Sequence, residues 1–260
     1  MLHPKLFVAV LLVIQLTLAG AEEAQPVSTL LGAGLWSRPA YDGADNSQVT
    51  ALIPVVRHYG PTWFARTTFG VLEGGARTEL LSGLTVGAQL AYEGGRDKAE
   101  SAFLAAHKLN NLPVSLSWGV HLEYEKNIGP MPIIALLRYR QDVDGNRGAQ
   151  TDLRLTAGLF SGGGLNAGVF AQTTWADAKA TQYYYGISQQ QALSSGLAAY
   201  QAQGGALFNS EGLLWSYDLT PKWMLLGSFE LRQLRGDALA SPLVQVSTSH
   251  YASLGLAYQF

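Results

Sequence analysis

The strongest candidate group for acid–base or metal chemistry in this sequence is His121 with Glu123 and Glu125. Residues at i, i+2 and i+4 share one face of a strand, so an imidazole and two carboxylates would lie together, as a metal site or a general base requires. The alternative is a hydrated interior in which these charges pair across strands, with Arg138 and Arg140 as partners. We favour the second interpretation, and the sequence predicts no metal site.

Hydrolytic chemistry finds little support elsewhere in the chain. Ser249 and His250 are neighbours on a predicted strand and point to opposite faces, which excludes a hydrogen-bonded dyad. Asp42, Asp45 and His58 could suggest an aspartate–histidine protease, but no spacing joins them into a site. With 0 Cys there is no thiol nucleophile, thiolate metal site or disulfide, and the common hydrolase and phosphate-loop motifs are missing. We predict a non-enzymatic protein without catalytic residues or cofactor.

Alternation with a period of two dominates the chain and predicts β-strands. In 114–125, for example, Val, Leu, Trp and Tyr occupy one face, while Ser, Gly, His and Glu occupy the other. A soluble sandwich would turn the charged face to solvent, whereas an outer-membrane barrel would turn it into the lumen. The barrel interpretation predicts that the following charged residues line the lumen: Arg66, His121, Glu123, Glu125, Arg138, Arg140, Arg154, Glu230 and Arg232.

Strand length and aromatic placement favour an all-β fold, a transmembrane antiparallel β-barrel of the bacterial outer membrane. The segments run to about 9–12 residues, the length that tilted membrane-crossing strands need, and Trp or Tyr recurs at the ends of the apolar faces. Single-chain bacterial barrels have an even strand count, but the pattern marks eleven segments: 27–37, 49–58, 63–71, 81–93, 113–125, 131–140, 149–160, 164–173, 205–218, 222–235 and 249–260. One segment is therefore wrongly assigned, and we place this error within about 59–112. We expect twelve strands, with ten as the alternative.

The N-terminal segment 1–21 has the form of a secretory signal, with Lys5, an apolar run over 6–14 and small residues at 19–21. A transmembrane anchor is the alternative, but the run is short for a span of roughly 20 residues. We expect cleavage after residue 21 and a single barrel domain over 22–260.

The last segment of the sequence is an amphipathic strand that ends on Tyr258, Gln259 and Phe260. A closed barrel has to use such a strand, because an open edge would leave backbone groups unpaired in lipid. Tyr258 and Phe260 also look like the assembly signal that the barrel-insertion machinery reads, so we expect that machinery as a partner.

Composition supports the same compartment. Charged residues make up only 14% of the chain, which has 29 Gly, 12 Tyr and 6 Trp, and this suits lipid-facing strands banded by aromatic side chains. The net charge of -2 offers no basic patch for nucleic acid. We therefore expect the cell outer membrane of a Gram-negative bacterium, in contact with its lipid and lipopolysaccharide.

The longest break between strands, 174–204, is the candidate interaction loop. Its aromatic residues could form a recognition surface, or they could pack the loop onto the barrel mouth, and we favour packing. Ser188 as an N-cap and Gly196 as a stop predict one short helix in 188–200. The candidate residues are Tyr183, Tyr184, Tyr185, Gly186, Gly196, Leu197 and Tyr200.

The second half of the chain resembles a known family. Segment 182–188 (QYYYGIS), followed by Ser195-Gly196-Leu197 and Tyr200, is similar to the "YYGVS…A…SGL…Y" pattern of the MipA/OmpV family of outer-membrane proteins. Near the N-terminus, 39–45 (PAYDGAD) resembles the family's "P-x-Y-x-G-S-D" loop, with Ala44 where Ser is more usual. The resemblance implies an outer-membrane barrel with a binding role, since the family's name comes from a member that binds a lytic murein transglycosylase and a murein synthase.

These observations leave several functions open. We favour a non-enzymatic scaffold of the cell envelope that binds peptidoglycan-remodelling enzymes, namely a lytic murein transglycosylase or a murein synthase, or surface ligands through 174–204. The second interpretation is a narrow pore for small polar solutes or antibiotic-related permeation, although side chains fill the bore of small barrels. The resemblance also allows an adhesin, since other members of the family are described so. An outer-membrane hydrolase is disfavoured.

Overall fold

The computed structural model describes residues 28–45, 48–68 and 70–260, so the predicted signal segment 1–21 lies outside the described residues. The chain forms a closed antiparallel barrel in which each strand pairs with the next and the last strand pairs with the first. The predicted fold class and the expected twelve strands are confirmed. The strands are β1 (Ser28–Pro39), β2 (Gln48–Tyr59), β3 (Trp63–Thr68), β4 (Val71–Leu81), β5 (Leu84–Glu93), β6 (Ser115–Ile128), β7 (Met131–Asp142), β8 (Ala149–Gly162), β9 (Leu165–Ala176), β10 (Gly205–Thr220), β11 (Trp223–Leu234) and β12 (Thr248–Gln259).

The strand that the pattern missed is β4, and it falls inside the predicted window of error. The segment predicted as 63–71 ends at Thr68, and the chain reverses at Gly70, whose φ of 78° favours glycine. Within β4, Gly74 and Gly75 interrupt the alternation. Gly75 has to be small, because a Cβ there would overlap the backbone of Gln89 on β5.

The barrel turns its apolar side chains outward and its polar side chains inward. Leu52 on β2 is 76% exposed, whereas Glu73 on β4 and Asp152 on β8 are 2% and 0% exposed. A soluble protein shows the opposite distribution. This arrangement fits a barrel whose outer surface faces lipid and whose lumen is polar.

The connections divide the barrel into two different ends. The turns after β2, β4, β6, β8 and β10 are two or three residues long, whereas the connections after β5, β9 and β11 are long. In bacterial outer-membrane barrels short turns face the periplasm and longer loops face outward. We call the second set, together with the connections after β1, β3 and β7, the outer loops.

Short helices occur only in the outer loops of the described chain. They are α1 (Ala102–Ala106), α2 (Ala178–Tyr185), α3 (Gln189–Ser195) and α4 (Gly236–Leu239), with a 3-10 turn at Lys98–Glu100. No helix among the described residues is long and apolar enough to cross a membrane.

The predicted helix in the 174–204 loop is α3. Ser188 accepts a hydrogen bond from the backbone N–H of Gln191, and the Gln191 side chain accepts one from the Ser188 N–H, which forms a capping box. The helix ends at Gly196, which has a φ of 74°. The prediction of a single helix is incomplete, because α2 precedes it. Asp177 caps α2 by accepting a hydrogen bond from the N–H of Ala180.

Candidate functional site

A network of buried ion pairs crosses the lumen between β3 and β8. The carboxylate of Glu73 lies 2.5 Å from the Arg66 guanidinium and 3.0 Å from that of Arg138. Arg138 also lies 2.8 Å from Asp152, and Arg140 lies 3.3 Å from the same carboxylate. Arg138 therefore joins two acidic residues on different strands, and every charge in this group has an opposite charge beside it.

The sheet register explains why these charges meet. Arg66 is the direct cross-strand partner of Glu73 in the β3–β4 ladder, and Arg138 is that of Asp152 in the β7–β8 ladder. Direct partners lie on the same face of a sheet, so all four side chains point inward. The contact between Arg138 and Glu73 then joins the two ladders across the interior.

Other predicted lumenal residues lie beside this network. His121 shares a short hydrogen bond of 2.5 Å between its Nδ1 and the Oε1 of Gln89. Glu123 contacts Arg66 at 3.5 Å, while Glu125 is exposed towards the periplasmic end. The Arg154 guanidinium lies 3.9 Å from the centre of the Phe170 ring.

The predicted partners of these carboxylates differ from those in the structure. We expected Arg138 and Arg140 to pair with Glu123 and Glu125, but the ion pairs that both arginines form run to Glu73, Glu93 and Asp152 on other strands. The sheet register explains the difference. Arg138 lies directly opposite His121 in the β6–β7 ladder, and the Arg138 guanidinium extends past the His121 ring. Within the described ranges no group of three or more His, Cys, Asp or Glu could hold a metal ion.

The first outer loop bends into the barrel mouth and meets a second charged group there. Asp42 accepts a hydrogen bond of 3.0 Å from Arg232 on β11 and another from the hydroxyl of Tyr251 on β12. Arg232 in turn lies 3.0 Å from Glu230. The predicted lumenal residues Glu230 and Arg232 thus hold the tip of this loop.

Four outer-loop segments pack together over the mouth, and we call them the outer cap: residues 40–45, 94–112, 177–204 and 235–247. One apolar cluster joins Tyr41, Leu104, Ile187 and Leu243, so it takes at least one residue from each segment. The hydroxyl of Tyr41 donates to the carbonyl of Leu243 at 3.0 Å. A second cluster packs Tyr185 of α2 against the ends of β10 and β11. The cap is therefore a small apolar core that covers the polar lumen.

The candidate interaction residues of the 174–204 loop belong mainly to this cap. Tyr185 is buried, and burial raises the pKa of its hydroxyl well above its usual range. Tyr184 and Leu197 pack against the two apolar clusters, while the Tyr183 ring lies 5.1 Å from the Arg147 guanidinium. Tyr184, Tyr185 and Leu197 thus contribute to packing within the cap, while a recognition role for the loop stays a prediction.

Tyr200 and Gly186 help to shape an open groove on the outside of the cap. The groove has a volume of about 560 Å³ and presents apolar surface together with amide, hydroxyl and amine groups from Lys179, Gln182, Gln189, Tyr200 and Gln203. Gln182 holds its floor, since its side chain accepts a hydrogen bond of 2.7 Å from the N–H of Ala202. Gly186 lies so close to Gln182 that a Cβ would overlap it. Such a mixed groove can bind a ligand that has both hydroxyl groups and apolar faces.

The predicted list of lumenal charges omits four acidic residues of the site, Asp42, Glu73, Glu93 and Asp152. The alternation does place Asp152 on the same face as Gln150 and Arg154, and Glu93 on the same face as Gln89. Glu93 ends β5 and lies 2.9 Å from Arg140. Nothing in the local sequence indicates that Asp42, in a loop, reaches the lumen.

Aromatic side chains band the outside of the barrel at two levels. Towards the periplasmic end, the Tyr258 ring lies 5.3 Å from that of Trp223 and 4.9 Å from that of Phe260. Towards the outer end, the rings of Trp118 and Tyr139 are 5.9 Å apart. Tyr258 and Phe260 thus form part of the periplasmic aromatic band, while their role as an assembly signal stays a prediction.

Comparison with known proteins gives consistent results. Residues 31–260 match the family described as MltA-interacting protein MipA. The curated MltA-interacting protein of Escherichia coli (strain K12) is 28% identical over 101 residues, which cover 39% of this chain and 40% of that protein, and that of Shigella flexneri gives the same values. The region of the chain that matches these relatives thus covers less than half of their length.

A solved structure supports the architecture. The NanC porin in a rhombohedral crystal form aligns with 88% of this chain and 100% of that chain, with a TM-score of 0.52 and 10% identity. At this identity the likeness concerns the barrel fold alone.

Proposed function

The chain belongs to the MipA family of MltA-interacting proteins, and on that premise we propose that it is a non-enzymatic scaffold that holds a murein-remodelling enzyme at its periplasmic rim. The partner would be a lytic murein transglycosylase or a murein synthase. The protein is a barrel of the Gram-negative outer membrane, because a closed barrel with an apolar exterior and a polar lumen satisfies its backbone hydrogen bonds within lipid.

The observation that carries this proposal is that the barrel is obstructed at two levels. The outer cap covers the mouth, and the ion pairs around Arg138 cross the lumen below it. A permeation pathway would have to displace both. A rigid barrel with a covered mouth and a paired interior is better suited to presenting a surface than to passing solutes.

The periplasmic rim offers only a small surface to a partner. It consists of short turns such as 60–62, 129–130 and 221–222, whereas stable complexes bury about 1,600 Å² in total. We therefore expect a weak or transient complex, which has to be captured chemically before the membrane is dissolved.

The test is a crosslinking pull-down from intact envelopes, with the affinity tag inserted beside Gly145, in an exposed outer turn. Recovery of a lytic transglycosylase or murein synthase above the level given by an unrelated barrel would support the proposal. A matched variant, Lys222→Glu in the 221–222 turn, should lower recovery, because it reverses a charge on the rim. Recovery of the tagged barrel without any murein enzyme would contradict the scaffold proposal.

The groove beside Tyr200 favours a second function, the binding of a surface ligand. Its amide and hydroxyl lining suits an oligosaccharide, which presents many hydroxyl groups to such side chains. Titration with the core oligosaccharide of lipopolysaccharide, followed by calorimetry, tests this. We expect binding that weakens in a Gln189→Ala variant and is unchanged in Leu193→Ala, on the exposed side of α3.

The pore interpretation makes a different prediction. A narrow channel should give discrete conductance steps in planar bilayers, whereas the covered and ion-paired lumen should give none. Steps in the unaltered protein would favour permeation over the scaffold.

A further inference from the structure

The two halves of the lumen differ in how their charges are placed. At the level of Arg138, the inward-facing Glu73 and Asp152 are 2% and 0% exposed, and both are ion-paired. Nearer the periplasmic ends of the strands, the inward-facing Arg57 and Glu125 are exposed to solvent. The lower lumen is therefore a blind vestibule, which is open to the periplasm and closed above by the buried ion pairs.

Two arginines stand on one wall of this vestibule. Arg57 on β2 is the direct ladder partner of Arg66 on β3, so its side chain faces the lumen beside another guanidinium. Arg77 on β4 lies over the Tyr59 ring, with 4.7 Å from its guanidinium carbon to the ring centroid, and it donates to the carbonyl of Gly60 at 3.4 Å. Since Tyr59 lies two positions from Arg57 on the same face of β2, both arginines are neighbours of this ring.

Neither Arg57 nor Arg77 is in contact with a carboxylate. The neighbouring Arg66 is neutralised by Glu73 at 2.5 Å, but no carboxylate of residues 28–45, 48–68 and 70–260 lies within 4.0 Å of the other two guanidinium groups. Like charges directly opposite each other destabilise a sheet. Arg57 and Arg66 are therefore stabilised by an anion that binds beside them from solution.

Two carboxylates face the lumen at the same end, on other walls. Arg57 lies two residues before the end of β2, Glu125 three before the end of β6 and Asp218 two before the end of β10. In the closed barrel, β6 and β10 are each four strands away from β2. The Asp218 charge acts on Arg57 over a distance longer than an ion-pair contact. Opposite charges are thus held apart across the vestibule, and a small molecule that carries both can join them.

The wall between Arg57 and Asp218 is apolar. It belongs to β1, β2, β11 and β12 and includes the following side chains: Leu30, Val55, Met224, Leu226 and Ala257. Leu30 and Ala257 are fully buried, whereas Val55 and Leu226 are partly exposed. A ligand that joins the two charges therefore lies over apolar surface, which suits a peptide with small apolar side chains.

We propose that this vestibule binds a small zwitterionic peptide that enters from the periplasm. Its carboxylate lies beside Arg57 and Arg77, and its ammonium group lies beside Asp218. Contacts between a guanidinium and a carboxylate are charge-assisted and can be bidentate. The end of a murein stem peptide and an ordinary periplasmic peptide both offer this chemistry. The site needs no murein enzyme, so it goes beyond the scaffold proposal.

Titration of the purified barrel in detergent with dialanine, followed by ligand-observed NMR at low ionic strength, tests the proposal. Dialanine amide lacks the carboxylate and N-acetyl-dialanine lacks the ammonium group, so each should bind about tenfold more weakly, as the loss of a hydrogen bond to a charged group implies. The D,D and L,L isomers distinguish the two sources, because murein stem peptides end in D-alanine. Binding of either isomer supports the site. No binding of either, or equal affinity for dialanine and its amide, would overturn it.

Substitutions on the two walls assign the contacts. Arg57→Gln should weaken dialanine binding about tenfold but should leave binding of the amide unchanged, because both changes remove the same contact. Asp218→Asn should act in the same way on the N-acetyl form. The matched control is Lys98→Gln, which removes a cation from an exposed position in the outer cap. An equal loss of affinity in this control would mean that net charge alone matters, and the assignment would fail.

The chain's own acidic residues are the competing occupants. Glu22 and Glu23 lie outside the described residues, and a double variant, Glu22→Gln with Glu23→Gln, tests whether they compete for the arginines. We expect unchanged affinity for dialanine. Binding that strengthens several-fold would assign the arginines to these carboxylates and would overturn the proposal. A change in gel mobility between unheated and heated samples verifies that each variant is folded.

Discussion

The carboxylate of Asp42 lies 3.0 Å from the guanidinium of Arg232, although the two residues are 190 positions apart. Asp42 stands in the first outer loop and Arg232 on the inner face of β11. Tyr251, on the last strand, donates to the same carboxylate. The tip of the outer cap is therefore fixed by the charge of the lumen and not only by its own apolar contacts.

Replacing Asp42 should loosen the outer cap without unfolding the barrel. In Asp42→Asn the carboxylate is lost, and a hydrogen bond to a charged group contributes about 1.5–3 kcal/mol. We expect faster hydrogen exchange and easier proteolysis in 40–45 and 235–247, but no conductance in planar bilayers, because the ion pairs around Arg138 still cross the lumen.

The matched control is Asp45→Asn in the same loop, where the side chain is exposed. It removes the same charge but no buried pair, so hydrogen exchange and proteolysis should stay at the level of the unaltered protein. Equal effects from both variants would mean that net charge, and not the contact with Arg232, holds the loop.

Replacing Arg138 should destabilise the barrel as a whole. In Arg138→Met, Glu73 and Asp152 each lose a buried partner, and removing one member of a buried ion pair costs about 3–5 kcal/mol. The urea midpoint of unfolding in detergent should fall accordingly. Lys222→Met, in an exposed turn, serves as the control and should shift the midpoint little. An unchanged midpoint for Arg138→Met would show that the network is already solvated.

Two glycines of the interaction loop should respond differently to a side chain. At Gly186 a Cβ would overlap Gln182, so Gly186→Ala should displace Gln182, free the backbone at Ala202 and cost about 1–3 kcal/mol. At Gly196 the space is open but φ is 74°, and Asn adopts that conformation readily. Gly196→Asn should therefore be neutral. Hydrogen exchange over 199–203 distinguishes the two outcomes.

The outer cap should weaken at alkaline pH. Burial raises the pKa of Tyr185 well above its usual range, so the folded cap keeps this hydroxyl protonated. The unfolded loop ionises near about pH 10. The contribution to stability is complete below that pH and decreases as pH rises towards the folded-state pKa. Phenolate absorbance should show a late-titrating step, to which Tyr41 and Tyr184 also contribute because burial raises the pKa of both. Tyr185→Phe should reduce the amplitude of that step and the alkaline rise in hydrogen exchange.

The sequence alone predicts the barrel because its strands are long and strictly alternating. In β6, for example, Trp118 and Tyr124 face lipid while Ser117 and His121 face the lumen, and the period of two carries this information directly. The pattern fails at β4 because Gly74 and Gly75 remove the side chains that would mark the two faces. Strand parity still located the missing element, since an even strand count is needed to place both termini on the periplasmic side.

The ion-pair partners could not be predicted in the same way. Alternation assigns Arg138 to the lumen, but it does not say which carboxylate across the interior its guanidinium reaches. The contact with Glu73 depends on the diameter of the closed barrel and on a strand that the pattern had missed. The position of Asp42 is equally nonlocal, because it depends on how one loop folds over strands that follow much later in the chain.

The apolar core of the outer cap also sets an order of events during assembly. Tyr41 donates its hydrogen bond to Leu243, 202 residues further along the chain, and the same cluster needs Leu104 and Ile187 from two hairpins between them. Contacts of such long separation form late in folding. No partial barrel can build this core, so a protease-resistant cap is a marker that the final hairpin has joined the first strand.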